Sequence, residues 1–181
     1  HQGTLTDLNE KAQKEVQAKC PELSVQKLDV CDKKALAKTI GPFDLVICAV
    51  PGFLGFETLK TIIASQKNVV DISFFSENSL ELDALAKENG VTAIVDCGVA
   101  PGMDNILLGY HNEKMKIESF ECLVGGLPKV KKWPFCYKAP FSPIDVIEEY
   151  TRPARYVENG VEVVREPLTD SEYIEFDKVG T

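Results

Sequence analysis

Residues 91–105 read VTAIVDCGVAPGMDN, and the reading of this stretch decides the fold. Val91 to Val95 is a short, mostly apolar run rich in β-formers, so a buried strand is expected there. Asp96-Cys97-Gly98 breaks the run. Pro101 and Gly102 follow, and then Met103, Ile106, Leu107 and Tyr110 fall at helical spacing. The order is strand, tight loop, helix start. In an open α/β sheet, the loop at a strand's carboxyl end is where ligands sit. Gly98, Pro101 and Gly102 are therefore candidate cofactor-binding positions, because glycine and proline there let backbone approach a bound group closely. An ordinary strand-to-helix turn explains the same residues equally well.

Working back from this stretch, the chain alternates between the two periods. A β-like run, Gly3 to Thr6, ends at Asp7, and helical spacing follows through Ala12 and Val16. Leu23 to Leu28 reads as a strand. Asp32 is placed to cap a helix over Lys33 to Ile40. Leu45 to Val50 is continuously apolar, as in a strand covered on both faces. Pro51 to Gly55 reads as a loop, Phe56 to Ser65 as a helix with Leu59, Ile62 and Ile63 inward, and Asn68 to Ile72 as a strand. A further helix runs from Asn78 or Ser79 to Asn89-Gly90. Strands joined by helices mean a parallel sheet with helices on its faces, here of the doubly wound, Rossmann, nucleotide-binding kind.

Beyond Tyr110 the pattern changes. Lys116 to Val124 reads as a longer strand, Pro143 to Tyr150 as a short helix with proline in its first turn, and Arg155 to Val157 with Val161 to Val164 as a hairpin about Asn159-Gly160. A mainly antiparallel sheet in a second, α+β domain is expected. We place the domains at residues 1–112 and 113–181.

Composition narrows the partners. The net charge of −8 disfavours a general phosphate-backbone binder, so no nucleic-acid partner is expected. No apolar run is long enough for a membrane span. Six cysteines contain no C-x-x-C pair, and two histidines are too few for a histidine-rich metal site, so no metal is expected. Reduced thiols used as small apolar residues point to the cytoplasm.

Strand ends supply the rest. In a dinucleotide-binding domain an acidic residue after the second strand takes the adenosine ribose hydroxyls. Asp7 holds that place if its strand is the second, and its charge favours NAD, with NADP as the alternative. A helix cap suits it as well. Asp29 and Val30 would border the adenine; Ala49, Val50 and Pro51 would pass near the nicotinamide. No G-x-G-x-x-G occurs and no strand precedes Gly3, so the sequence is expected to be part of a longer protein.

Several motifs then converge. Residues 96–105 (DCGVAPGMDN), 124–128 (VGGLP), Tyr137-Lys138 with Phe141-Ser142-Pro143, and 154–160 (ARYVENG) resemble, in this order, the saccharopine dehydrogenase-like family. The nearest likeness is to its lysine 6-dehydrogenase-like and saccharopine reductase-like members. The resemblance covers nearly the whole chain from Asp7. It implies a Rossmann domain interrupted by a catalytic α/β domain, and NAD(P)-dependent hydride transfer at the C–N bond of an amino-acid substrate. It also implies a homodimer joined through the second domain. The family's glycine-rich loop has no counterpart here.

That chemistry asks for a group that manages one proton beside the nicotinamide. Asp71 and then Asp96 are the catalytic candidates, each closing a strand on the ligand side; capping is the competing role. Cys97 is a candidate site thiol, although nothing in the sequence lowers its pKa. An α-carboxylate asks for a cation, and Lys138 beside Tyr137 and Arg155 beside Tyr156 are the substrate-binding candidates. Trp133, Phe135 and Phe141 suit the wall of an aliphatic pocket, or a core. A non-catalytic nucleotide-binding scaffold on the same fold, a carboxynorspermidine synthase-like imine reductase and a methyltransferase are the competing functions.

Overall fold

The computed structural model describes residues 3–134, 136–139 and 142–177. Phe135 and Phe141 lie outside them. The chain forms two units, His1–Val124 and Gly125–Thr181.

In the first unit, β1 (Thr4–Asp7), α1 (Glu10–Lys19), β2 (Ser24–Lys27), α2 (Lys33–Ile40), β3 (Leu45–Cys48), α3 (Gly52–Ala64), β4 (Asn68–Asp71), α4 (Asp83–Asn89), β5 (Ala93–Ile94) and α5 (Met103–Asn112) follow one another. A 3₁₀ turn, Ser79–Leu82, leads into α4. Local chemistry sets the boundaries. Asn9 caps α1 by accepting from the amides of Lys11 and Ala12, and Asp32 caps α2 through Lys34 and Ala35. Gly90 closes α4 in the left-handed conformation, as a C-terminal glycine does.

All ladders in this unit are parallel, confirming the α/β, Rossmann-type class. They form two pieces, β1–β2 and β3–β4–β5. Helix α2 packs on α3 and α3 on α4, while α1 packs on β1 and β2. Among the described residues, one edge of β1 and one edge of β3 carry no ladder partner.

The core is Leu36 and Ile40 of α2, Leu59, Ile62 and Ile63 of α3, Cys48, Val69, Leu28 and Leu82. Helix α3 is the buried element, as its apolar spacing implies. Strand β3 departs from the expectation of two covered faces: Val46 and Cys48 turn toward the core, but Leu45 is 54% and Ile47 71% exposed. The helices α2 and α3 cover one face of this sheet, and nothing among the described residues seals the other over these two side chains. The segment expected as a loop, Pro51 to Gly55, is instead the first turn of α3 from Gly52 onward.

In the second unit, α6 (Pro143–Glu149) begins on its proline, and β6 (Ala154–Glu158) pairs antiparallel with β7 (Val161–Arg165). The turn between them holds Asn159 at φ 51° and Gly160 at φ 80°, the pair of positive values that a two-residue hairpin requires. Residues 116–124 form no strand. Their alternation is real, but no neighbouring strand offers a ladder, and a lone extended segment has no backbone partners to hold it.

Candidate functional site at the strand ends

Parallel register brings Cys48 of β3 opposite Asp71 of β4. The chain leaving β5 then crosses beside them, and the Cys97 amide donates to the Asp71 carbonyl at 3.0 Å. The carboxyl ends of β3, β4 and β5 thus converge on one spot.

Asp71 is wholly buried, at 0% exposure. Its Oδ1 accepts from the Ser73 amide at 2.8 Å and from Ser73 Oγ at 2.5 Å. Its Oδ2 is buried without a partner. Burial raises the Asp71 pKa; the Cys48 thiol and Ser73 pull it back in part, and the charge of Asp96 pushes it further up. The Cys48 thiol is raised far above its ordinary value, first by burial and then by Asp71, so it stays protonated. Gly55 lets α3 close on this cluster, since a Cβ there would lie 2.5 Å from Ser73 Oγ and 2.6 Å from Phe75.

The 96–105 loop is folded by its own backbone. Asp96 takes φ 55°, a value aspartate tolerates. The Met103 amide donates to the Gly98 carbonyl at 3.0 Å, and Asp104 Oδ1 accepts from the Gly102 amide at 2.7 Å. Gly102 sits at φ 141°, and a Cβ on it would lie 2.5 Å from the Gly98 nitrogen and 2.7 Å from the Asp96 carbonyl oxygen. Only glycine fits there. Asp96, Gly98 and Pro101 are exposed on this loop and Cys97 is half-buried, its thiol 3.7 Å from the Val95 carbonyl.

Among the residues expected from sequence, Asp71, Asp96, Cys97, Gly98, Pro101 and Gly102 come together around these strand ends. Ala49 and Pro51 are exposed beyond β3, and Val50 is half-buried against the core. Asp7 closes β1 on the other piece of the sheet, with Asp29 and Val30 following β2. The Asp29 carboxylate accepts from the Cys31 amide at 2.9 Å, so it shapes its own turn.

Cys48 and Ser73 escaped the sequence reading. Ser73 carries a local signal, a hydroxyl two residues after aspartate, whereas Cys48 emerges only from the β3–β4 register. A recess of about 500 Å³ elsewhere in this unit, along α5, is lined by Asn105, Leu108, Ile117 and Phe120 and holds none of the expected residues.

In the second unit, Tyr137 stacks edge-on against Tyr150 with centroids 6.5 Å apart. Its phenol pKa is raised, by burial first and then by Tyr150 and Glu149. Lys138 is exposed, and its amide donates to the Gly126 carbonyl at 3.3 Å. A Cβ on Gly126 would lie 2.6 Å from the Lys138 carbonyl oxygen, which explains the glycine in Gly125-Gly126. Arg155 lies on β6 with its Nε 3.8 Å from Glu162 of β7. Trp133 is exposed, not packed as a wall. Among the described residues there is no cluster of histidine, cysteine and carboxylate groups that could hold a metal.

Two family models match end to end: the saccharopine dehydrogenase NADP binding domain over residues 4–94 and the saccharopine dehydrogenase C-terminal domain over residues 98–180. The alpha-aminoadipic semialdehyde synthase of Arabidopsis thaliana is 30% identical over 146 residues, which is 77% of this chain and 14% of that protein. The saccharopine dehydrogenase [NADP(+), L-glutamate-forming] of Pyricularia oryzae is 31% identical over 140 residues, 74% of this chain and 31% of that one. Among solved structures, the apo saccharopine dehydrogenase (L-Glu forming) from Saccharomyces cerevisiae shares the fold at a TM-score of 0.65. Its identity is 21%, and the match covers 97% of this chain and 42% of that one. The chain therefore spans well under half the length of these relatives.

Proposed function

The chain belongs to the saccharopine dehydrogenase family, and from that premise we propose that it forms part of a nicotinamide-dependent oxidoreductase acting at the C–N bond of an amino-acid substrate of the lysine or saccharopine type. The observation that carries this reading is the convergence of a buried carboxyl with an unpartnered oxygen, Asp71, and a glycine cradle, Gly98 and Gly102, at the carboxyl ends of neighbouring parallel strands.

In this reading Gly98, Pro101 and Gly102, with Ala49, Val50 and Pro51, bring backbone against the nicotinamide half of the dinucleotide. Asp7, Asp29 and Val30 serve the adenosine half, and NAD is the form Asp7 favours. The nicotinamide supplies the hydride chemistry when bound. The protein's part is to manage a proton and hold the substrate. Asp96 is the exposed carboxylate of the cluster and accepts the proton an alkylammonium must lose. Asp71 stands behind it, sealed from solvent, and positions the Cys97 amide through its carbonyl and Ser73 through its carboxyl. Cys97, with its thiol turned to a backbone carbonyl, borders the site. Lys138, with Tyr137 next to it in the chain, and Arg155 offer cations for a carboxylate; Arg155 has its Nε 3.8 Å from Glu162, a loose contact to give up.

Residues 1–112 would then be the cofactor domain and 113–181 part of a substrate and dimerisation domain, in a homodimer of a reducing compartment such as the cytoplasm. Following reduced nicotinamide by absorbance while offering lysine, saccharopine and a carboxynorspermidine-type imine tests the reading. Turnover of one of them that falls at least about 100-fold in Asp96→Asn is the expected result. Dinucleotide binding with no turnover of any of them would leave the scaffold function in its place.

A further inference from the structure

We infer that Ser73 is a positioning residue of this site: with Cys48 it completes a buried, uncharged support behind the 96–102 loop, in which Asp71 keeps its proton on Oδ2 and Asp96 works without a second charge beside it. The inference rests on the reading above that Asp96 accepts the substrate's proton, and it makes Asp71 a neutral support for that base.

The place of the proton follows from the hydrogen bonds. Oδ1 of the wholly buried Asp71 takes both donors of Ser73, the amide at 2.8 Å and the hydroxyl at 2.5 Å. Both of its lone pairs are then used, and the proton has no place there. Oδ2 is buried without a partner. An ionised oxygen sealed from water with no donor costs far more than a neutral hydroxyl in the same place. The proton therefore belongs on Oδ2. The groups around it agree. Burial, the largest influence, raises the Asp71 pKa; Cys48 and Ser73 offset it in part, and the charge of Asp96 adds to it. Cys48, the register partner, is a protonated thiol held so by burial first and then by Asp71. Helix α3 meets the cluster through Gly55, which carries no charge.

Backbone ties this support to the loop. The bond from the Ser73 amide to Asp71 Oδ1 turns the chain at the end of β4. On one side of that turn the Ile72 amide donates to the Cys48 carbonyl at 3.0 Å. On the other the Cys97 amide donates to the Asp71 carbonyl, also at 3.0 Å. The second bond holds the very peptide that joins Asp96 to Cys97. Asp96 sits at φ 55°, so the direction of its carboxylate depends on that anchor. A turn loosened at Ser73 loosens the anchor, and a charge on Asp71 would repel the carboxylate it is meant to hold.

Infrared difference spectroscopy of the full chain at neutral pH, where free carboxyls are ionised, reads the proton without dinucleotide or substrate. Wild type minus Asp71→Asn should show the C=O stretch of a protonated carboxyl, and Asp96→Asn should keep it. In Ser73→Ala the same band should move to higher frequency, because its C=O loses the hydroxyl donor. Turnover of whichever substrate the chain accepts should fall about 10- to 100-fold in kcat in Ser73→Ala with KM little changed. Ser73→Cys, with a weaker donor at the same place, should lie between. A wild-type spectrum without the band, or a band that survives Asp71→Asn, overturns the inference whatever the turnover, and needs no Ser73 variant to fold. A Ser73→Ala protein with the wild-type band position, or with wild-type kcat, overturns the positioning role. The band present with no turnover of any substrate overturns the function reading, and Ser73's part in it, while the protonated Asp71 stands.

Discussion

At Asp71, Ser73 donates twice to one carboxylate oxygen and leaves the other buried with nothing. Burial therefore sets the titration, and the pKa lies above the ordinary range. A carboxyl whose folded pKa exceeds its unfolded value holds its proton more tightly when folded. Its stabilising effect is complete below the unfolded pKa and disappears as pH rises through the folded one. Asp71→Asn, uncharged at all pH, should therefore gain stability relative to wild type as pH rises above the ordinary carboxylate range. Urea unfolding across that range checks it, and a difference that does not change with pH refutes it. Two glycines offer a second comparison at this scale. Gly90 (φ 64°) has open space where a Cβ would go, whereas Gly102 (φ 141°) is walled by Gly98 and Asp96. Gly90→Ala should cost roughly 1 kcal/mol for its backbone alone. Gly102→Ala should cost about 3 kcal/mol or more and also weaken dinucleotide binding, because the 96–102 loop has to move.

Elements were the most legible level of this sequence. The alternation of strand and helix runs through residues 4–112 as its period implies, helped by side-chain caps at the starts of α1 and α2 and a left-handed glycine at the end of α4. The Asn9 and Asp32 caps each make two bonds to their helix amides, and replacing either by alanine should cost about 0.5–2 kcal/mol in chemical unfolding. What periodicity cannot reveal is whether a partner lies beside an apolar run. Residues 45–48 and 116–124 both look like strands from their own residues; the first has β4 alongside and the second has nothing. The same blindness hid one face of β3. Ile47 is 71% exposed, so Ile47→Lys should change stability by less than about 0.5 kcal/mol while raising solubility. A large loss of stability would mean that this face is covered in solution. The candidate site was legible wherever a single segment carries it, as in the 96–102 loop. It was not legible at Cys48, whose place beside Asp71 depends on the β3–β4 register, which pairs residues 23 apart in the sequence.

At the scale of the whole chain, the two units differ in how their apolar surface is buried. The first has a contiguous core around Leu59, Ile62 and Ile63, whose exposures are 1% or less. In the second, Val146 is the single buried apolar side chain among the described residues, and its sheet is one two-stranded hairpin. Two strands alone are marginal in water. Amide exchange should separate the two accordingly: the β3 and β4 amides should exchange only on global opening of the first unit, and those of β6 and β7 far sooner. Leu59→Ala should remove about 2–5 kcal/mol from the first unit's protection and leave the hairpin's rates as they were. A dinucleotide that binds the strand ends adds to the same unit from the other direction. At a hundredfold excess over its dissociation constant it contributes about 2.7 kcal/mol to whatever folded unit holds it. NADH should therefore slow exchange at β3, β4 and the 96–102 loop. Slowing confined to β6 and β7 instead would place the dinucleotide on the second unit and contradict the assignment of Asp7, Gly98 and Gly102 to its binding.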